Sequence, residues 1–152
     1  MTYPMTPSEH LTAAMIPETA QNISKLLQMP EYSGLAIPKS QWTKFTRCHF
    51  DDSKVESHPA IVPTVNVSQS LNGISADEKS IYDLLARSLI RIIYPKAVLG
   101  DTTAPIDVNG IEFKATGTVI VDPGWYAVDN RKPQKQPLPV LHVTMCFMAP
   151  IH

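Results

Sequence analysis

The sequence predicts an α+β fold, with a mainly helical first part followed by a β-hairpin-rich part. Three observations carry this. Apolar residues recur at helical spacing in two stretches before residue 97, and the second is opened by Ser75-Ala76-Asp77-Glu78. From Ile111 to Val121 the pattern changes to alternation, as in a strand. Between Ile106-Asp107-Val108 and that run stands Asn109-Gly110, the strongest short hairpin signal because both residues tolerate positive φ. The expected organisation is a helical domain over residues 1–97 and a β-rich segment over 98–152.

Thr6-Pro7-Ser8-Glu9 reads as a capping box, with Thr6 as N-cap, Pro7 as the first helical residue and Glu9 reaching back. This predicts a helix from Pro7 to about Met15. Pro17 opens a second helical segment in which Ala20, Ile23, Leu26 and Leu27 share a face, ending before Pro30. A short helix is expected over Pro38–Phe45, and loop beyond Asp51. Ser75 to Glu78 is a second capping box, leading into a stripe of Ile81, Leu84, Leu85, Leu89, Ile92 and Ile93 that Pro95 ends. Asp122-Pro123-Gly124 reads as a turn, and residues 131–139, rich in proline and lysine, as a loop. No internal repeat is visible.

A chain of 152 residues with 43% hydrophobic and 18% charged residues can bury a real core and is not a disordered composition. The net charge of −1 supplies no overall electrostatic attraction to nucleic acid, so any such surface must be locally basic. Fourteen prolines imply many short elements and loops. Cys48 and Cys146 lie far apart with no Cys-x-x-Cys, and Cys48, His49, His142 and Cys146 match no structural zinc spacing. Two reduced, unrelated thiols are expected. Met1 is followed by polar, proline-rich sequence rather than a signal peptide. The apolar stretches around 84–99 and 140–151 are interrupted by Arg87, Arg91, Lys96 and His142, short of the ~20 apolar residues of a membrane span.

The chemistry concentrates in two short blocks. Tyr3 stands in Thr2-Tyr3-Pro4, and a phenol is among the side chains that form covalent intermediates. His58-Pro59-Ala60-Ile61-Val62-Pro63-Thr64 follows downstream. Thr2-Tyr3-Pro4-Met5-Thr6-Pro7-Ser8 resembles the T-Y-P-R-T-D-S active-site block of type IA DNA topoisomerases, and the His58 block resembles that family's H-x-A-I-x-P-T/S. Glu78-Lys79-Ser80-Ile81-Tyr82-Asp83-Leu84-Leu85-Ala86-Arg87 fits in the same order. So does Phe113-Lys114-Ala115-Thr116-Gly117 with Gly124-Trp125. The resemblance runs from about Thr2 to about Val128. Thr2-Tyr3-Pro4 and Asp51-Asp52-Ser53-Lys54-Val55 are similar to the topoisomerase III branch.

The resemblance implies a piece of a multidomain enzyme, an isomerase that cuts and reseals single-stranded DNA through a 5′-phosphotyrosine link without ATP. It implies Tyr3 as nucleophile, His58 as a phosphate or proton-transfer aid, and Mg²⁺ held by an acidic N-terminal domain outside this chain, with no metal site within it. It implies single-stranded DNA and that N-terminal domain as partners, no membrane, and a cytoplasmic, nucleoid-associated location. A phenol of pKa ~10 is almost fully protonated at neutral pH, so attack needs a base or nearby positive charge. Yet the family's arginine two residues after the tyrosine is Met5 here, and the aspartate of T-D-S is Pro7. Met5 neither donates to phosphate nor carries charge, so this chain alone is expected to be inactive. Beyond Val128 the match fades: Leu138-Pro139 aligns with a family L-P-x-L, but no Gly-Asp follows, which reads as a truncated or altered end.

Arg47 and Lys54 flank the loop leading to His58 and suit DNA phosphates, where sequence-independent affinity arises, or simply a solvated basic loop. Arg87 is either a DNA contact or an edge residue with its stem along apolar surface. Trp125 reads as packing, Ser8 and Ser75 as helix-start residues, and His10, His49, His142 and His152 as ordinary histidines. The alternative to a cleaving enzyme is a non-catalytic remnant that binds DNA or a protein. A third reading is an unrelated small α+β protein with chance motifs.

Overall fold

The computed structural model describes residues 6–63, 71, 73–133 and 135–139. Tyr3 and Met5, the tail from residue 140 onward, and with it His142, Cys146 and His152, lie outside them. The chain divides into two compact units, Met1–Lys96 with Gly124–Arg131, and Ala97–Pro123 with Lys132–His152. Two longer helices precede a two-stranded antiparallel hairpin and a four-residue helix follows it, an α+β arrangement as expected.

In the first unit, α1 (Ile16–Leu26) starts with Pro17 in its first turn, where the missing N–H costs nothing. It buries Thr19, Asn22, Ile23 and Leu26. Helix α2 (Ala76–Arg91) starts at the Ser75 capping box: the Ser75 N–H donates to Glu78 Oε2 at 2.8 Å, and Ser75 Oγ accepts the Glu78 N–H at 3.3 Å. The Ser75 N–H and the Ser75 hydroxyl, which also donates to Glu78 Oε2 at 2.8 Å, hold the Glu78 carboxyl below its usual value, the backbone bond first. A short helix, α3 (Tyr126–Asp129), follows the turn at Gly124. Ile23, Leu26, Tyr32, Ile90, Ile93 and Val128 are fully buried at the centre of this unit, each worth about 1.5–3 kcal/mol for its apolar area.

Three expectations about this unit are corrected. Residues 7–12 are not helical; helical backbone begins with a 3₁₀ turn at Ala13–Met15. The Thr6 and Ser8 hydroxyls instead accept backbone N–H groups two residues on, those of Ser8 and His10, at 3.2 and 3.1 Å. Such local turns compete directly with a helix start. Over 38–45 the helix shrinks to a 3₁₀ turn at Lys39–Gln41, after which the chain is extended at Trp42. The apolar stripe of α2 is also rotated from the expected one. Ala86, Leu89 and Ile90 are buried, while Ile81 and Leu84 are each 61% exposed. The rotation is set by two arginines on the same helix. Arg87 bonds Asp83 through Nε and the Val128 carbonyl through Nη1, and Arg91 pairs with Asp129. Both anchor α2 to α3 and bring Val128 beneath it.

In the second unit, β1 (Val98–Val108) pairs with β2 (Ile111–Asp122), in a register that sets Ile106 opposite Phe113 and Val108 opposite Ile111. The turn is as the sequence requires: Asn109 has φ 53° and Gly110 φ 81°, positive at both positions. The first strand begins at Val98, well before Ile106, and passes through Pro105; in a two-stranded sheet both strands are edges, where proline is tolerated. At Gly117 the segment 136–138 approaches so closely that a Cβ would lie 2.5 Å from the Leu138 nitrogen.

Candidate functional site

The ST turns at Thr6 and Ser8 keep residues 6–12 out of a helix, and this segment runs beside residues 49–60. Leu11 forms a parallel bridge with Phe50: its N–H donates to the His49 carbonyl at 2.8 Å, and its carbonyl accepts the Asp51 N–H at 3.0 Å. Further bonds flank this isolated bridge. The Ala60 N–H donates to the His10 carbonyl at 2.9 Å, and the Ala13 N–H to Asp52 Oδ1 at 2.9 Å. The buried Ser8 hydroxyl donates to the Lys54 carbonyl at 2.9 Å. The Thr6 hydroxyl donates to the His58 carbonyl at 2.9 Å, across 52 residues of sequence. Thr6 is three residues after Tyr3, so the two motif blocks meet at this bond.

The sequence-derived residues fall into two groups. His58, Arg47 and Lys54 are exposed on the loop paired with residues 6–13. Arg87 is elsewhere, half-buried on α2, with its guanidinium engaged by Asp83 at 2.8 Å and by the Val128 carbonyl. Trp125 packs edge-on against Tyr126 with Arg91 and Arg131 over its ring. Ser75 is a helix cap, but Ser8 is a strut between loop segments.

Two histidines passed over in the sequence belong to this pair of segments. His10 Nε2 lies 3.5 Å from Lys54 Nζ. His49 has its imidazole held below the usual value, first by desolvation and then by His10. No local motif marks them; only the pairing of distant segments does. An open cleft of about 420 Å³ adjoins these segments, lined by Phe45, Arg47, Phe50 and Asp51 among others.

The other tyrosines contrast with the role expected of Tyr3. The phenols of Tyr32, Tyr82 and Tyr94 are all pushed upward by burial, and Tyr32 further by the Asp83 charge. A nucleophile needs the opposite shift. Among the described residues no group of three or more His, Cys, Asp or Glu side chains is placed to hold a metal ion. No helix among them is long and apolar enough to cross a membrane.

The family model for DNA topoisomerase matches residues 1–145. This chain belongs to the DNA topoisomerase family. Its relatives place it on the type IA, topoisomerase III-like side. It is 28% identical to DNA topoisomerase 3 of Vibrio cholerae over 160 residues, covering 96% of this chain and 23% of that protein. It is 27% identical to DNA topoisomerase 3 of Bacillus licheniformis over 148 residues, covering 93% of this chain and 20% of the relative. With the Bacillus subtilis protein of the same name it shares 27% identity over 128 residues, 84% of this chain and 18% of the relative. The chain thus spans about a fifth of the length of the curated relatives it matches.

Proposed function

We propose that this chain carries the strand-cleaving tyrosine segment of a type IA topoisomerase acting on single-stranded DNA. The supporting observation is the Thr6–His58 bond, which joins the tyrosine-side block to the histidine block. In the proposed reaction the Tyr3 oxygen attacks a backbone phosphorus. A Tyr3 O–P bond forms to the 5′ phosphate, the P–O3′ bond breaks, and the phenolic proton leaves while the 3′ oxygen gains one. Resealing is the reverse, and the phosphotyrosine conserves the bond energy. His58 serves as phosphate or proton-transfer aid, and Arg47 and Lys54 contact backbone phosphates. Arg87, paired with Asp83 on α2, is a further DNA contact in this reading, apart from the loop that carries His58. The parent's Mg²⁺ is proposed to be held by an acidic N-terminal domain, which also completes the site, and the location is cytoplasmic, at the nucleoid.

A second reading, a DNA-binding or protein-contacting segment without cleavage, is favoured by Met5, which removes the cationic group expected beside the phosphate. Mixing the chain with an acidic N-terminal topoisomerase portion, Mg²⁺ and labelled single-stranded DNA separates the two. A denaturant-resistant adduct that Tyr3→Phe abolishes supports cleavage. Absence of adduct in the natural sequence, with its appearance in Met5→Arg, supports the second reading.

A further inference from the structure

Beside the Thr6–His58 bond, one buried hydroxyl holds two basic residues together. Ser8 Oγ accepts the His10 N–H at 3.1 Å and donates to the Lys54 carbonyl at 2.9 Å, so the two backbones are bracketed by a single atom. The His10 carbonyl is fixed in turn by the Ala60 N–H. The side chains consequently meet, with His10 Nε2 and Lys54 Nζ 3.5 Å apart.

Lys54 has three N–H donors, and one imidazole nitrogen accepts at most one of them. The neighbouring aspartates also accept other donors. Asp51 Oδ1 accepts both the N–H and the hydroxyl of Ser53, and Asp52 Oδ1 accepts the Ala13 N–H. Asp51 feels Lys54 and Arg47 only as weaker influences behind Ser53. Glu9 and Glu56 are exposed, and among the described residues the ion pairs are Arg87–Asp83 and Arg91–Asp129, neither of them here. In a chain of net charge −1, His10, Arg47 and Lys54 gather here, while Asp51 and Asp52 each turn one oxygen to a nearby N–H or O–H group.

We infer that His10 and Lys54 form a phosphate-binding pair, positioned by Ser8, that grips a backbone phosphodiester of single-stranded DNA next to the cleavage site. The DNA part rests on the function proposed above. Lys54 supplies a charge-assisted bond to one phosphate oxygen, and the imidazole edge orients the same group. His10 is thus a binding residue and Ser8 a positioning residue.

Two measurements on the full chain test this. Pyrophosphate is titrated while the imidazole C–H resonances are followed by NMR, His10 being assigned through His10→Gln. The expected result is a saturable shift at His10 that is lost in Lys54→Ala and weakened in Ser8→Ala, with the core resonances of both variants unchanged and Lys114→Ala in β2 behaving as the natural chain. No saturable shift at His10, or one indifferent to Lys54→Ala, overturns the pair. Binding of a short oligothymidylate is then followed by fluorescence anisotropy against salt. His10→Gln and Lys54→Ala should each weaken binding several-fold, and loss of a phosphate contact should flatten the log–log salt slope by about 0.7. Salt-sensitive DNA binding that neither variant alters overturns the DNA assignment. Pyrophosphate binding without any DNA binding upholds the pair and removes the function proposed above instead.

Discussion

The two compact units keep their apolar residues in opposite ways. In the helical unit Ile23, Leu26, Ile90 and Ile93 are 0% exposed, because α1, α2 and α3 each offer one apolar face to the others. In the hairpin unit Ile106, Ile111, Phe113, Val119 and Val121 are all more than 40% exposed, though they too are large and apolar. Ile106 and Phe113 face each other across the strands, with polar Asp107 and Glu112 as the next pair. The hairpin therefore depends on its turn, its ladder and bonds such as Thr118 Oγ1 to Asp101 Oδ1 at 2.6 Å. A two-stranded hairpin alone is only marginally stable in water. Burial is decided by the number of layers, and apolar content alone does not supply it.

The largest expected effect breaks the comparison at its strongest point. Ile90→Ala should cost about 2–5 kcal/mol by leaving a cavity in the closed core. Phe113→Ala should cost under about 1 kcal/mol, the value of a cross-strand pair. Denaturant midpoints measure both, and similar losses would show the hairpin to be covered as well as the core.

Glycine positions sharpen the contrast next. Gly124 has φ 45°, and a Cβ there would lie 2.6 Å from the Lys96 carbonyl, so Gly124→Ala should destabilise the helical unit by about 1–3 kcal/mol. Gly110 has φ 81° with nothing within 4 Å, leaving only backbone strain of about 1–2 kcal/mol for Gly110→Ala. Amide exchange should report the second loss in residues 98–122 alone.

Removing the α2 cap comes third. Ser75→Ala should cost about 1 kcal/mol, and amide exchange should rise first in the opening turn of α2. The smallest effect is on pH. Because the His49 pKa is lowered in the fold, the unfolded chain binds more protons just below the ordinary value of 6.5. His49 stability is therefore fully present above that value and lost as pH falls through the folded one. Denaturant midpoints taken across weakly acidic pH should fall less steeply in His49→Gln; an unchanged slope would show that His49 is not the group responsible.

The features legible in the sequence were local. Ser75 and Glu78 complete their own box within one turn, Pro17 suits the start of α1, and Asn109-Gly110 adopts the positive φ values its strands need. The expected helix after Thr6 failed because hydroxyls that cap a helix also close a turn, and only the neighbouring segment 49–60 tips that choice. The motif blocks around Tyr3 and His58 could be recognised from residue order, and the family match agrees. The full setting of Arg87 could not: Asp83 lies one turn away on the same helix, but the Val128 carbonyl reaches it only after α3 folds back.

The sequence by itself therefore determined the family, from the order of its motif blocks, and the Ser75 cap, the Asn109-Gly110 turn and the order of α1 and α2 before the hairpin, from patterns within a few residues. Tertiary structure decided which face of α2 is buried, which arginine is already occupied, and that His10 meets Lys54. Those outcomes depend on side-chain hydrogen bonds between segments some forty to fifty residues apart, whose partners no local pattern encodes.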